Sequence, residues 1–254
     1  MDAHHLSRPA DGSPPIPRPP GAREGQPPTW YRLAVIRRSG ITVGEVKHAL
    51  HARPAQGQAP AGTSPLELPP SRRNEPAAVL CLMFDHDGEA NVVLTRRSHQ
   101  LREHRGQVAF PGGRLLPGEA PLQAALREAH EEVRLDPAAV EVFGQLTPLT
   151  TMGASALVHC FVGATSGPTG LVASAGEVDR VFWVPLAELA SDGVYHEELW
   201  PDGGAAQLTP SSPEGDAGRY RAVPFFHVQG EVVWGATGRL LAELLDVVLG
   251  AREG

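Results

Sequence analysis

The chain has 254 residues, with 22 lysines and arginines against 29 aspartates and glutamates and a net charge of −7, a balance that excludes the broad basic face needed for non-specific nucleic-acid binding. Lys47 is the only lysine, which excludes a polybasic membrane anchor, and there is neither a run of about 18 apolar residues nor an apolar N-terminal signal core. The last residues, Arg252-Glu253-Gly254, are not a peroxisomal Ser-Lys-Leu-type address, so the expected location is cytoplasmic.

Taken in chain order, residues 1–72 read as a proline- and glycine-rich extension, largely disordered. Up to about Pro28, and again from Ala52 to Pro70, too little apolar surface is present to offset ordering entropy. Between these stretches, 30–36 has the pattern of a short strand, and Thr42-Val43-Gly44-Glu45 carries the Thr-x-x-Glu signature of a helix over 42–52. Both are expected to dock on a domain spanning 73–254. Strands are predicted over 77–84 and 91–95 around a turn at Asp85-His86-Asp87-Gly88, then a short strand over 107–110 and a Gly-Gly turn at Gly112-Gly113. A helix over 121–133 follows, started by Glu119-Ala120-Pro121.

Further strands fall at 140–146, 156–162 and 180–184, with a short helix from Leu186. A Gly/Pro/Ser-rich excursion over 202–218 precedes a strand over 223–228. The final helix, N-capped by Thr237, runs to Leu249 and buries Leu240, Leu241, Leu244, Val247 and Val248. Trp234, just before it, is read as a core residue. Mixed strands with two helices packed on them predict an α/β sandwich. Cys81 and Cys160 fall inside predicted strands and are read as buried free thiols. His99, His104 and His130 lack the paired spacing of a zinc site.

The 121–133 helix carries the most chemistry. Glu128, Glu131 and Glu132 stand at i, i+3 and i+4, so three carboxylates crowd one side of the cylinder. Like charges at that spacing repel, and a hard cation with oxygen ligands would offset the repulsion. Leu122, Leu126, Ala129 and Val133 define an apolar side roughly 130° away, expected to face the core. Upstream, Arg96, Arg97, Arg102 and Arg105 follow a predicted strand and can offer planar forks to phosphate oxygens. A basic loop and an acidic helix would thus flank one anion.

Gly113, Glu119 and the run Arg127-Glu128-Ala129-His130-Glu131-Glu132-Val133-Arg134-Leu135 together resemble the Nudix box of the Nudix hydrolases. One position departs: the family usually has glycine where Arg134 ends the helix in an expected left-handed conformation. The run Leu94-Thr95-Arg96-Arg97-Ser98, then Arg102, Gly106 and Phe110-Pro111-Gly112-Gly113, resembles the further signature of the coenzyme A pyrophosphatase subgroup. The resemblance implies the Nudix α/β/α sandwich with a mixed β-sheet, and Mg2+ or Mn2+ held by Glu128 and Glu132. It also implies Glu131 as a metal ligand or an aid to the base, the Gly112 carbonyl as a ligand, and an Arg127–Glu119 pair orienting the cluster.

Arg96, Arg97, Ser98 and Arg102 are the implied substrate-binding residues. Glu177, in the polar loop before the 180–184 strand, is the candidate general base, alongside a solvated reading of the same acid. The loop Thr150-Thr151-Met152-Gly153 matches a substrate-facing loop of the subgroup, but Ala154 and Cys160 stand near places where the family tends to have an aromatic and a proline.

Three functional readings compete. The first is hydrolysis of the diphosphate of coenzyme A or its thioesters, with a small coenzyme A-like nucleotide as the partner of a monomer or homodimer. The second is the same chemistry on another nucleoside diphosphate derivative such as ADP-ribose or NADH. The third is a non-catalytic binding module, against which the intact glutamates weigh.

Overall fold

A computed structural model of the chain describes residues 15–53, 76–151, 156–168, 170–201 and 220–252. The excursion over 202–218, loop residues Met152, Gly153 and Ala154, and the expected domain boundary at 73 lie outside the described residues.

The centre of the molecule is β2 (Ala77–His86), a strand buried on both faces. It hairpins into β3 (Glu89–Arg97) through Asp87-Gly88, whose φ of 52° and 78° fit a two-residue turn matching the right-handed strand twist. On its other side β2 pairs in parallel with β7 (Leu157–Ala164), which pairs antiparallel with β6 (Glu141–Thr150). The short β4 (Val108–Ala109) and β8 (Val178–Pro185) both pair with β3, and β5 (Gly112–Arg114) pairs with β2. The sheet is therefore mixed, with seven strands.

Period-two alternation along β2 divides the core into two layers. Ala78, Leu80, Leu82 and Phe84 face α2 (Pro121–Val133), meeting Ala124, Ala125, Ala129 and Val133. Cys81 and Met83 face the opposite way, into a larger cluster with Leu240, Leu241, Leu244 and Leu245 of α4 (Gly235–Gly250) and Val46, Ala49 and Leu50 of α1 (Val43–Ala52). Helices cover both faces, giving an α/β/α sandwich. Cys81 and Cys160, on adjacent strands, are free and fully buried. A second, antiparallel sheet joins β1 (Arg23–Glu24), β9 (Tyr195–Pro201), β10 (Tyr220–Val228) and β11 (Glu231–Val233). The short α3 (Leu186–Leu189) lies between β8 and β9.

Several elements differ from expectation. The expected strand over 30–36 is instead two 3-10 turns, Thr29–Arg32 and Val35–Arg38. Trp30 is 2% exposed and packs edge-on against Tyr195 with ring centroids 5.3 Å apart, so burial of that indole overrides the alternating pattern. Gly112-Gly113 forms the start of β5 rather than a turn. Thr237 is not a cap: α4 begins straight after Trp234, and Gly235 at φ +65° makes the bend out of β11. Thr237 lies buried inside the helix. β9, not anticipated from its acidic sequence, buries Tyr195 and Trp200. Trp234 stacks on Phe225 at 6.2 Å, a packing role.

α1 starts where the Thr-x-x-Glu pattern places it. Thr42 Oγ1 accepts from the Glu45 amide, and Glu45 accepts from the Thr42 amide. Lys47 on this helix is ion-paired to Glu141 of β6.

Candidate active site

The carboxylates of α2 are placed by the helix's apolar side, which is rotated from the expected stripe. Ala125, Ala129 and Val133 are buried while Leu122 and Leu126 are only partly so, and Glu132 is drawn into the seam between helix and sheet at 4% exposure. One Glu132 oxygen accepts from the Gly112 amide at 3.1 Å and the other from Arg97 Nη1 at 3.3 Å. The two glycines let β5 lie close against β2 and against Glu128. A Cβ on Gly112 would stand 2.4 Å from the Ala78 carbonyl oxygen, and one on Gly113 would stand 2.5 Å from the Glu128 carboxyl carbon.

Arg127 organises the exposed edge of the cluster. Its Nε and Nη2 form a fork onto Glu119 at 2.8 and 3.0 Å, its Nη1 reaches Glu128 and Glu131, each at 3.0 Å, and Nη2 also donates to the Arg114 carbonyl. The Glu119 carboxyl, bonded to Arg127 and to the Leu116 amide, is held below the usual carboxylate range. Arg127 is pushed further up, chiefly by Glu119.

The buried acids behave in the opposite sense. Burial pushes Glu132 up to about 7, even though the Gly112 amide and Arg97 pull it down, and burial likewise raises Glu128. Glu177 adds to both through its charge, which brings its carboxylate within electrostatic reach of the pair. Glu177 is exposed on a loop tied to α2 by the Ser174 amide on the Glu132 carbonyl and the Val172 amide on the Val133 carbonyl. Glu131 is half-exposed and rests on Arg127.

The basic segment does not reach the site as a unit. Successive strand residues point to opposite faces, and Arg97 meets Glu132 whereas Arg96 turns to the other side and pairs with Glu231 at 3.2 Å. Arg180 meets the same Glu231 at 2.8 Å. That buried acid and its two arginines were not anticipated, because Glu231 lies far along the chain on β11; only its place in an apolar run hinted at it. Ser98 is 1% exposed; its amide donates to the Glu177 carbonyl, its hydroxyl accepts from the Gln100 amide, and it hydrogen-bonds the Asp179 carboxylate. It therefore fastens the two loops together from inside. Arg102 is exposed. Cys160 is buried within the sheet and cannot line a substrate pocket, and the exposed His130 bonds the Leu135 carbonyl.

All these donors are hard oxygens, the set suited to magnesium or manganese rather than zinc. Among the described residues no three His, Cys, Asp or Glu side chains converge on one point, since Glu128 and Glu131 are turned onto Arg127. Glu132, buried, and Glu128, partly buried, nevertheless fit a divalent ion: burial makes both hold a proton more tightly than an ordinary carboxylate despite Arg97 and Arg127 beside them, and neighbouring carboxylates add like charge that a cation would offset.

A family model described as the NUDIX domain matches residues 74–202. The chain is 38% identical over 189 residues to the uncharacterized Nudix hydrolase NudL of Photorhabdus laumondii, covering 72% of this chain and 92% of that protein. It is 39% identical over 133 residues to Nudix hydrolase 3 of Caenorhabditis elegans, covering 51% of this chain and 55% of that one. Among solved structures, the Nudix hydrolase RenU from M. smegmatis is 26% identical with a TM-score of 0.39, over 44% of this chain and 71% of its own. The domain match and a relative aligned along nearly its whole length agree with the carboxylate helix described above, and this chain belongs to the Nudix hydrolase family.

Proposed function

We propose that this hydrolase cleaves the diphosphate of coenzyme A or its thioesters, giving adenosine 3′,5′-bisphosphate and 4′-phosphopantetheine or its acylated form. Family membership supports the coarser statement, hydrolysis of a nucleoside diphosphate derivative. The finer one draws support from one observation: Arg97, in the segment resembling the coenzyme A pyrophosphatase signature, lies 3.3 Å from Glu132 of the acidic helix.

Nudix hydrolases generally use divalent metal ions, and here Mg2+ or Mn2+ is proposed at Glu128 and Glu132, with Glu131 and the Gly112 carbonyl as further oxygens. When bound, such an ion neutralises charge on phosphoryl oxygens and acidifies water. Arg127 and Glu119 hold the helix edge in register with β5 through their fork. Arg97 and Arg102 are proposed to anchor phosphate oxygens. Arg96 acts at a distance, bracing β3 through Glu231. Glu177 is proposed to take the proton of the attacking water, standing on a loop that Ser98 and Ser174 fix beside α2.

The test is a panel of coenzyme A, ADP-ribose, NADH and nucleoside triphosphates with Mg2+ or Mn2+, products identified by mass. Preferential release of adenosine 3′,5′-bisphosphate is expected; turnover of only the other compounds removes the coenzyme A assignment. In the same assay Glu132→Gln should lower kcat by at least about 100-fold, beyond the usual loss from changing an outer-shell residue, with an unchanged circular dichroism spectrum. Near-normal turnover by that variant would mean Glu132 is not a metal ligand.

A further inference from the structure

The two arginines that touch the acidic helix are held very differently. Arg127 is locked, with bonds to Glu119, Glu128, Glu131 and the Arg114 carbonyl. Among the described residues the Arg97 guanidinium donates to one partner, Glu132, at 3.3 Å, which is long beside the roughly 2.7–2.9 Å of a well-made charge-assisted bond. Its Nε is buried without an acceptor among the described residues, a condition that leaves a donor open to a second anion. The pairing beside it is irregular: Arg96 faces Arg180 and Arg97 faces Val178, so β8 carries an extra residue, Asp179, next to Arg97.

Both oxygens of Glu132 already accept one bond each. The Gly112 amide covers Oε2 and Arg97 covers Oε1. A cation reaching Oε1 meets the like charge of the guanidinium 3.3 Å away, so the two compete for this carboxylate, while Oε2 is turned toward backbone held in the β5–β2 pairing.

We propose that Arg97 is an exchangeable counter-ion: it sits on Glu132 while no divalent cation is bound and passes to a phosphate oxygen of the substrate when a cation takes Glu132. This rests on the reading of Glu132 as a metal-binding carboxylate and of the substrate as a diphosphate. The guanidinium is tethered beside the cluster and carries an unsatisfied N–H, so an arriving phosphate offers it the acceptor it lacks. Cation and substrate then reinforce each other. The substrate removes the group that competes with the cation, and by linkage the cation frees the group that the substrate needs.

The experiment uses the full chain stripped of metal, with Mn2+ alone as probe and free Mn2+ read by electron paramagnetic resonance in the absence of nucleotide. Arg97→Gln is expected to bind Mn2+ about 5-fold tighter or more, the lower end of ordinary site coupling. KM for the nucleotide turned over fastest in the panel should rise by about tenfold, the loss of one charged contact. Arg97→Lys, which keeps the charge and loses the fork, should hold Mn2+ affinity near that of the unaltered chain while still raising KM. Arg96→Gln removes a neighbouring charge on the opposite face and should leave Mn2+ affinity unchanged. Mn2+ binding by Arg97→Gln that is equal or weaker overturns the exchange, as does an Arg96→Gln variant that tightens binding equally. An unchanged KM overturns transfer to the phosphate. Undiminished Mn2+ binding by Glu132→Gln is a separate result and sinks the metal assignment itself.

Discussion

Glu132 makes the metal-free protein sensitive to pH in an unusual direction. Its carboxyl titrates near 4.5 when unfolded and is pushed up to about 7 by burial in the fold. Between those values the native state keeps a proton that the unfolded state has lost. Stability therefore falls as pH rises through that window, by on the order of 3 kcal/mol for this group taken alone. In metal-free buffer, raising the pH from about 5 to about 7.5 should lower Tm more in the unaltered protein than in Glu132→Gln, whose amide stays neutral. Parallel melting curves for the two would refute the assignment. The i, i+3, i+4 spacing of the glutamates was legible in the sequence, whereas the drawing of Glu132 onto Gly112 and Arg97 while Glu128 and Glu131 turn to Arg127 depends on β3 and β5 and was not. The parting of Arg96 from Arg97 was implicit in strand alternation, but Glu231, which receives Arg96, could be located only once β11 was in place.

At the level of elements, α2 runs over the residues that its proline start and its apolar spacing dictate, and it ends at Arg134 with φ 57° and ψ 27°. A side chain in that conformation is strained by about 1–2 kcal/mol relative to glycine. Arg134 is exposed, so little is lost with its side chain. Arg134→Gly is expected to stabilise the fold by about 0.5–1 kcal/mol, after the extra chain entropy of glycine is deducted, measured by urea unfolding with activity unchanged; a destabilised variant would show that the guanidinium has a role of its own. Local signals served well for α1 and α2. They failed where the decisive partner is remote: Gly112-Gly113 reads as a turn until β2 supplies the strand beside it, and the 30–36 segment reads as a strand until Trp30 finds Tyr195.

Across the whole molecule, residues 15–53 contribute a few side chains to the core. Trp30, Ile41, Val46, Ala49 and Leu50 join the cluster that holds α4 against the sheet, and β1 extends the second sheet through β9. Docking of 30–36 and 42–52 was expected, but β1 falls in the stretch up to Pro28, whose proline- and glycine-rich composition gave no sign of a strand. Trp30→Ala should cost about 3–5 kcal/mol, the range for a buried tryptophan, seen as a lower urea midpoint with an unchanged slope. A loss below about 1 kcal/mol, the level of an ordinary surface change, would mean that the segment merely rests on the domain. The sandwich itself was legible from the order of strands and helices. The second sheet was less so, since β9 and β11 are short or acidic and take their character from β10.

Cys81 and Cys160 sit on neighbouring strands at the middle of the larger sheet, sealed from water and with thiols that burial keeps protonated. An alkylating reagent gains access to them only when the α1 and α4 layer lifts from the sheet or the strands come apart. Their rate of modification is thus a built-in gauge of the opening of that core, blind to excursions of the arginine loop.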